Sequence, residues 1–272
     1  MDFWKYINML SIDIAVGAVV GCAFFGQIFE VNILPHAFVA LGLSVWIIYT
    51  TDHLNDAYKL TSRGLTGSTE RHRFHQKYFS RLLVAVIAAA FLAGLEVFYV
   101  RPAVRIAGLL LAVPVGLYLM SQHRLRLTKE MFGAVLYTAG IVLVPLALLQ
   151  RKLEVPEAVL IALYGLTALA NLLLFSLMDF SADVRDQNPS FASSLGIGVA
   201  RRYFFLLTIV NAGACMGLVA MASQHTLPAL VILFMNGILA FVGLRRNALA
   251  FGDRYRIIAD AIFFIPLIGL FV

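Results

Sequence analysis

The chain has 272 residues, 61% hydrophobic and 13% charged, with a mean hydropathy of +0.88 and a formal net charge of +6. A soluble domain carries about 25% charged residues, so this composition excludes a water-soluble globular fold. It points to an all-α polytopic membrane protein, because only helices or closed barrels satisfy the backbone in lipid and the roughly ten-residue alternating segments of a barrel are not seen.

Apolar runs of about 18 or more residues mark spanning helices. Nine are predicted: Ser11–Val31, Pro35–Asp52, Ser80–Val100, Ala103–Gln122, Glu130–Leu149, Pro156–Asp179, Val199–Met221, Leu227–Gly243 and Tyr255–Val272. The short lead MDFWKYINML lacks a small-residue cleavage site, so the first run reads as a span and not as a removable signal peptide. Pro35, Pro102, Pro156 and Pro189 fall at proposed starts or in connections, where a missing N–H costs least. Pro114, Pro145 and Pro266 fall inside spans and are expected to kink them. Cys22 and Cys215 lie in apolar runs and read as small buried residues, not as a disulfide or zinc site.

With the N-terminus in the cytoplasm, Arg101, Arg105, Arg151 and Lys152 are the only cations on the far side; the other seventeen of the twenty-one Lys and Arg are cytoplasmic. This positive-inside bias accounts for the net charge without nucleic acid, and an eight-span arrangement would scramble it. The C-terminus then lies on the opposite side.

Five of the fifteen acidic residues sit at two span ends on the cytoplasmic face. YTTDHLND places Asp52 and Asp56 one helical turn apart at the end of the second run, and MDFSADVRD places Asp179, Asp183 and Asp186 at i, i+4 and i+7 after the sixth. Like charges at that spacing repel, and they face the negative ends of their helices, so a cation is expected between them. Solvated helix ends are the plainer alternative. Two clusters facing each other suit Mg²⁺, which takes one or two carboxylates and completes its shell with water and substrate phosphate. Between spans four and five, SQHRLRLTKE supplies Arg124, Arg126 and Lys129 at the same depth, and Arg185 lies within the second cluster; all four are candidates to bind diphosphate or serve as ordinary positive-inside charge.

Further polar residues mark the connections and spans. The cap segments, about 52–79 and 180–198, frame the acidic clusters, and STERHRFHQKYFSR in the first has the pattern of an amphipathic surface helix, for gating or for lipid anchoring. His72 and His75 are spaced i, i+3 but lack a third metal ligand. Asn211 and Asn236 are expected to bridge helices. Asn171, two turns deeper than Asp179, is a candidate chamber residue with Tyr49, Asn55, Tyr118 and Tyr137. Asp13 and Asp260 are costly acids within predicted spans, functional by default unless they snorkel.

Nine spans, an aspartate motif ending the second, another ending the sixth and a basic loop between the fourth and fifth resemble the UbiA superfamily of intramembrane prenyltransferases over essentially the whole chain. Its first motif is usually N-D-x-x-D-x-x-x-D, of which Asp52 and Asp56 are the last two acids; Ile48 and Tyr49 stand where the family often has Asn-Asp. Its second is D-x-x-x-D, matched by Asp179 and Asp183, and SFASSLGIGVARR is similar to the family's small-residue segment before span seven. The resemblance implies one 1–272 domain of nine helices around a central chamber open to lipid, beneath cytoplasmic cap loops. It implies Mg²⁺-dependent prenyl transfer from an isoprenyl diphosphate to a hydrophobic acceptor of aromatic or quinone-precursor type. Asp52, Asp56, Asp179 and Asp183 would be catalytic, these four and Asp186 metal-binding. The compact loops suit a bacterial plasma membrane. The alternatives are a non-catalytic lipid- or quinone-binding protein on a decayed scaffold, and a secondary transporter, whose acids would lie near the midplane.

Overall fold

The computed structural model describes residues 3–122, 125, 127–249 and 254–270. Among them there is no strand, and the apolar runs fold as helices whose starts follow the proline signals. Helix α1 (Phe3–Met9) meets α2 (Ile12–Ile28) at a 77° bend, where Ser11 adopts a left-handed conformation at φ 56°. Then come α3 (Pro35–Ser62), α4 (Glu70–Lys77), α5 (Phe79–Glu96), α6 (Pro102–Ser121), α7 (Lys129–Leu148) and α8 (Val155–Met178). The remainder is α9 (Phe180–Asp186), α10 (Phe191–Leu195), α11 (Ile197–Met221), α12 (Thr226–Leu244), α13 (Arg246–Leu249) and α14 (Arg254–Ala261). Pro35 and Pro102 stand in the first turns of α3 and α6. Glu154 and Glu157 form a capping box at the start of α8, with Arg151 Nη2 donating to Glu157 Oε1 at 2.6 Å.

Seven described helices are long and apolar enough to cross a membrane, or eight if the bent α1–α2 pair counts as one span. The chain is an integral, multi-pass membrane protein. Two features depart from the sequence expectation. Helix α3 does not stop at Asp52 but runs ten residues further, because nothing breaks it before Gly64, whose φ of +69° favours glycine. The last predicted span is divided: α14 has eight residues, and Ile262–Leu270, which contains Pro266, is a tighter 3₁₀ stretch. Pro114 and Pro145 lie within uninterrupted α6 and α7.

Half of the apolar stretch of α8 is buried, against 11% for α5 and 6% for α6. Helix α8 is therefore the central post, packed on α7, α11 and α12, while α2 packs on α3, α7 and Ile262–Leu270. Phe24, Phe25, Phe29, Tyr164 and Phe263 stand at the heart of this core. Asn211 Nδ2 donates to Leu163 O and Thr167 Oγ1 (3.2 and 2.9 Å), and Asn236 Nδ2 to Thr208 O (2.8 Å), so both asparagines bridge helices as expected, at about 1 kcal/mol each. Helices α5 and α6 lean outward on α3 and α7. A cavity is left between α3, α6 and α7.

Candidate active site

The extension of α3 carries Asp52 and Asp56 on one face, one turn apart. Across from it Asp179 is the hinge residue between α8 and α9, and the first turn of α9 brings Asp183 back over it, with Asp183 N bonded to Asp179 O at 2.9 Å. Asp52, Asp179, Asp183 and Lys129 border one cavity of about 670 Å³. Asp56, Asp183 and Asp186 border a second of about 840 Å³ on the cap side, with Lys59, Arg63 and His72. Asp183 lies on both.

Each carboxylate has its own surroundings. Gln122 Nε2 donates to Asp52 Oδ1. Asp179 is gripped by the Tyr255 hydroxyl (2.5 Å) and by Arg256, in a salt bridge whose partners are both about one-seventh exposed. Arg256 also stacks over Phe175, 5.3 Å from the ring centre. Burial, with the Asp179 charge adding and the Ser190 hydroxyl opposing, pushes the Asp183 carboxyl up to about 7. Burial also acts upward on Asp186, but the Ser68 hydroxyl (2.5 Å), the Ser68 N–H and His72 (2.7 Å) outweigh it and hold that acid below the ordinary range.

These contacts tie down the caps. Helix α4, expected as an amphipathic surface helix, forms at Glu70–Lys77, capped by Thr69, whose side chain accepts from His72 N. It is not a loose surface element. Arg71 is 8% exposed and donates to Asn8 O and Oδ1 (3.1 and 2.8 Å), and burial pushes His75 down to about 4, leaving it neutral against His53. The second cap is stapled by Phe191 N donating to Glu130 (2.7 Å) and Ala192 N to Ser176 Oγ (2.7 Å).

Of the predicted chamber residues, Tyr49, Tyr118, Tyr137 and Asn171 line the larger-reaching cavity beside Asp52, and Asn55 lines neither. Arg185 is exposed and lines neither, since two residues along α9 from Asp183 it points to the other side. Arg124 and Arg126 lie outside the described residues. Arg105 also lines the cavity, and the cations that reach it beside Lys129 near the acids are Arg71 and Arg256. Sequence reading placed both in the positive-inside tally; the one available signal was Arg256 and Asp260 at i, i+4 opening the last apolar run.

The donor set suits a hard cation. All four candidate ligands are carboxylates, and among the described residues no three His, Cys, Asp or Glu side chains converge as a ready cage. Mg²⁺ needs none, because it takes one or two carboxylates per site and keeps water and phosphate oxygens for the rest.

No protein-family model matches the sequence, and no curated protein matches it either. Solved structures do. A UbiA homolog from Archaeoglobus fulgidus bound to GPP and Mg²⁺ superposes with a TM-score of 0.66 at 12% identity, covering 98% of this chain and 100% of that one. The same protein bound to DMAPP and Mg²⁺ gives 0.64 at 12% identity, over 98% and 99%. The apo UbiA homolog from Aeropyrum pernix K1 gives 0.66 at 9% identity over the full length of both. The chain has the UbiA fold. At such identities the likeness is one of fold, and it extends over nearly the whole of each chain.

Proposed function

We propose that the protein is a UbiA-type prenyltransferase that moves a prenyl group from an isoprenyl diphosphate to a hydrophobic, aromatic acceptor within the membrane. One observation carries this reading: Asp52 of α3 and Asp179 and Asp183 of the α8–α9 hinge border a single cavity whose other arm is largely apolar, while Asp56 meets Asp183 on the second. The A. fulgidus UbiA homolog of the same fold binds DMAPP or GPP with Mg²⁺. By that analogy Asp52 and Asp56 hold one Mg²⁺, and Asp179 and Asp183 the other. Bound Mg²⁺ neutralises the diphosphate and makes it a better leaving group. Lys129 adds a point charge at the same mouth, and the caps keep water from the allylic carbon. Tyr49 and Tyr118 line the cavity beside Asp52, where aromatic rings stabilise a developing cation. Asp186, held by Ser68 and His72, serves the cap in this reading and not the metal.

The apolar arm suggests the donor. It runs along α3 from Asp52 to Ala37, fifteen residues away, which is about 22 Å of helix. An isoprene unit, four carbon–carbon bonds of about 1.5 Å in zigzag, extends roughly 5 Å, so the arm takes about four units. Gly108 and Gly116 line it, and no heavy atom lies within 4 Å of where a Cβ would stand on either; they face open lumen. Ala37, Val100, Val104 and Val144 close its far end. Gly108→Phe is therefore expected to shift donor preference from geranylgeranyl diphosphate to one shorter by one or two units, in a diphosphate-release assay across donor lengths. Gly94→Phe, at an exposed position on α5, is the control. An unchanged length profile in Gly108→Phe would place the tail elsewhere.

In the membrane the acidic mouth faces the cytoplasm, with the N-terminus there and the C-terminus opposite. This topology treats α14 and Ile262–Leu270 as the ninth crossing; end to end they extend about 30 Å. Ile48 and Tyr49 line the cavity where the family pattern has Asn-Asp, which favours one second reading: a non-catalytic lipid- or quinone-binding protein. Mg²⁺-dependent release of diphosphate from geranylgeranyl diphosphate separates the two; donor binding with no release, whatever aromatic acceptor is supplied, would favour the second.

A further inference from the structure

Two buried acids are left over from the diphosphate site. Asp13, at the start of α2, and Asp260, on α14, are 5% and 1% exposed. A single side chain joins them. Asn8 Nδ2 donates to Asp13 Oδ2 at 2.6 Å and to Asp260 Oδ2 at 2.7 Å, so both of its amide protons are spent on carboxylates. The amide oxygen accepts from Arg71 Nη2 at 2.8 Å, and Arg71 Nη1 lies 3.2 Å from His53 Nε2. Five elements of the fold, α1, α2, α3, α4 and α14, thus converge on one buried polar cluster.

Packing does not call for such a cluster. A buried carboxylate without full compensation costs several kcal/mol, and apolar side chains of similar volume would pack the junction at least as well. The charges do not balance: three acids, Asp13, Asp179 and Asp260, share two arginines, Arg71 and Arg256. Nor is the cluster sealed off. Asp260, Arg71 and His53 line the same cavity as Asp52 and Asp179. Arg71 Nε, on a side chain 8% exposed, has no hydrogen-bond partner among the described residues. Beside Asp260 stands an aromatic wall: Tyr49 meets Tyr137 edge-on at 6.4 Å between ring centres, and Tyr137 meets Phe263 at 5.3 Å. The Tyr137 hydroxyl is likewise buried without a partner.

We infer that this cluster is the acceptor end of the cavity, that it takes the uncharged, hydroxyl-bearing aromatic ring of a phenol, and that Asp260 is the base that receives the acceptor's proton. The inference rests on the prenyltransferase reading and deepens it. The ring packs between Tyr137, Tyr49 and Phe263 and donates its hydroxyl to Asp260. As the ring carbon attacks, its electron pair forms the new bond to C1 of the donor, and the C1–O bond breaks with its pair passing to diphosphate. The hydroxyl proton moves to Asp260, leaving a neutral dienone that tautomerises to the alkylated phenol. The products are that phenol, diphosphate and one proton on the acid pair, where its arrival relieves the repulsion between two carboxylates bridged by one amide. An acceptor carrying a carboxylate is disfavoured, because it would add a third negative charge to a site of low dielectric.

The test uses full-length protein in nanodiscs with geranylgeranyl diphosphate and Mg²⁺, a matched pair of simple phenol and hydroxybenzoate as acceptors, and binding of geranylgeranyl thiodiphosphate as a separate readout. The phenol is expected to be alkylated in preference. In Asp260→Asn thiodiphosphate binding is expected to stay within about twofold of the parent, while transfer falls by about 10²-fold or more, the scale of a lost general base. Transfer by Asp260→Asn at the parent rate, preference for the hydroxybenzoate, or loss of thiodiphosphate binding in Asp260→Asn alone would overturn this inference and leave the transferase reading standing. Failure of the parent to bind the thiodiphosphate would overturn both.

Discussion

Asp183→Asn is expected to lower Mg²⁺-dependent diphosphate release by about 10³-fold, the scale seen when one preorganised electrostatic contact to a developing charge is removed. The substitution keeps the size of the side chain and removes its charge, and Asp183 is the one acid that borders both cavities. Folding is expected to be spared, since an amide can still bond to Ser190. The pH dependence adds a second readout. Without a cation the Asp183 carboxyl is pushed up to about 7, first by burial and then by Asp179. Below that value the group is protonated and Mg²⁺ has to displace the proton, so apparent Mg²⁺ affinity falls by up to about tenfold per pH unit below 7 and levels off above it. The Asn variant should lose this dependence. Titration of Mg²⁺ binding between pH 5.5 and 8.5 in both proteins checks the expectation; an unaltered profile in Asp183→Asn would remove Asp183 from the cation site.

Arg256→Gln is expected to produce the largest change in stability, and one that Mg²⁺ partly reverses. Arg256 and Asp179 form a salt bridge in which both partners are largely buried. Removing the cation leaves a carboxylate whose remaining side-chain hydrogen bond, among the described residues, is from the Tyr255 hydroxyl, at a cost of about 3 kcal/mol. A divalent ion on Asp179 would take the place of the lost guanidinium. The melting temperature should therefore drop in EDTA, and Mg²⁺ should raise it more in the variant than in the parent. If Asp179 only anchors α14, the two proteins would respond to Mg²⁺ alike. The comparison thus separates a metal-facing Asp179 from a purely structural one.

Much of this architecture is legible in the sequence for simple reasons. Long apolar runs report spans, and carboxylates at i, i+4 report a shared helix face, so the long helices α3, α5 to α8, α11 and α12 follow from the sequence pattern, and the family resemblance implies the meeting of Asp52 with Asp179 and Asp183. Asn211 and Asn236 bridge helices for the same reason: an amide in lipid needs a partner. What escaped depends on contacts distant in sequence. Nothing local marks Gln122 as the partner of Asp52, or Asn8 as the partner of an acid 252 residues away in the chain. Arg71 and Arg256 were hidden among residues that the positive-inside rule already explains, although each turns inward. The end of α3 was misplaced because hydropathy reports where the lipid stops and not where the helix does. The tight 3₁₀ geometry of Ile262–Leu270 carries no hydropathy signal at all.

Equilibrium binding of a non-hydrolysable geranylgeranyl thiodiphosphate to purified protein, in Mg²⁺ and in EDTA, tests whether the two acidic motifs form one cation-dependent diphosphate site. Tight binding in Mg²⁺ that is lost in EDTA, and lost equally in Asp52→Asn and Asp179→Asn, is the predicted result. Binding indifferent to EDTA, or no binding by well-folded protein at any tail length, would contradict it.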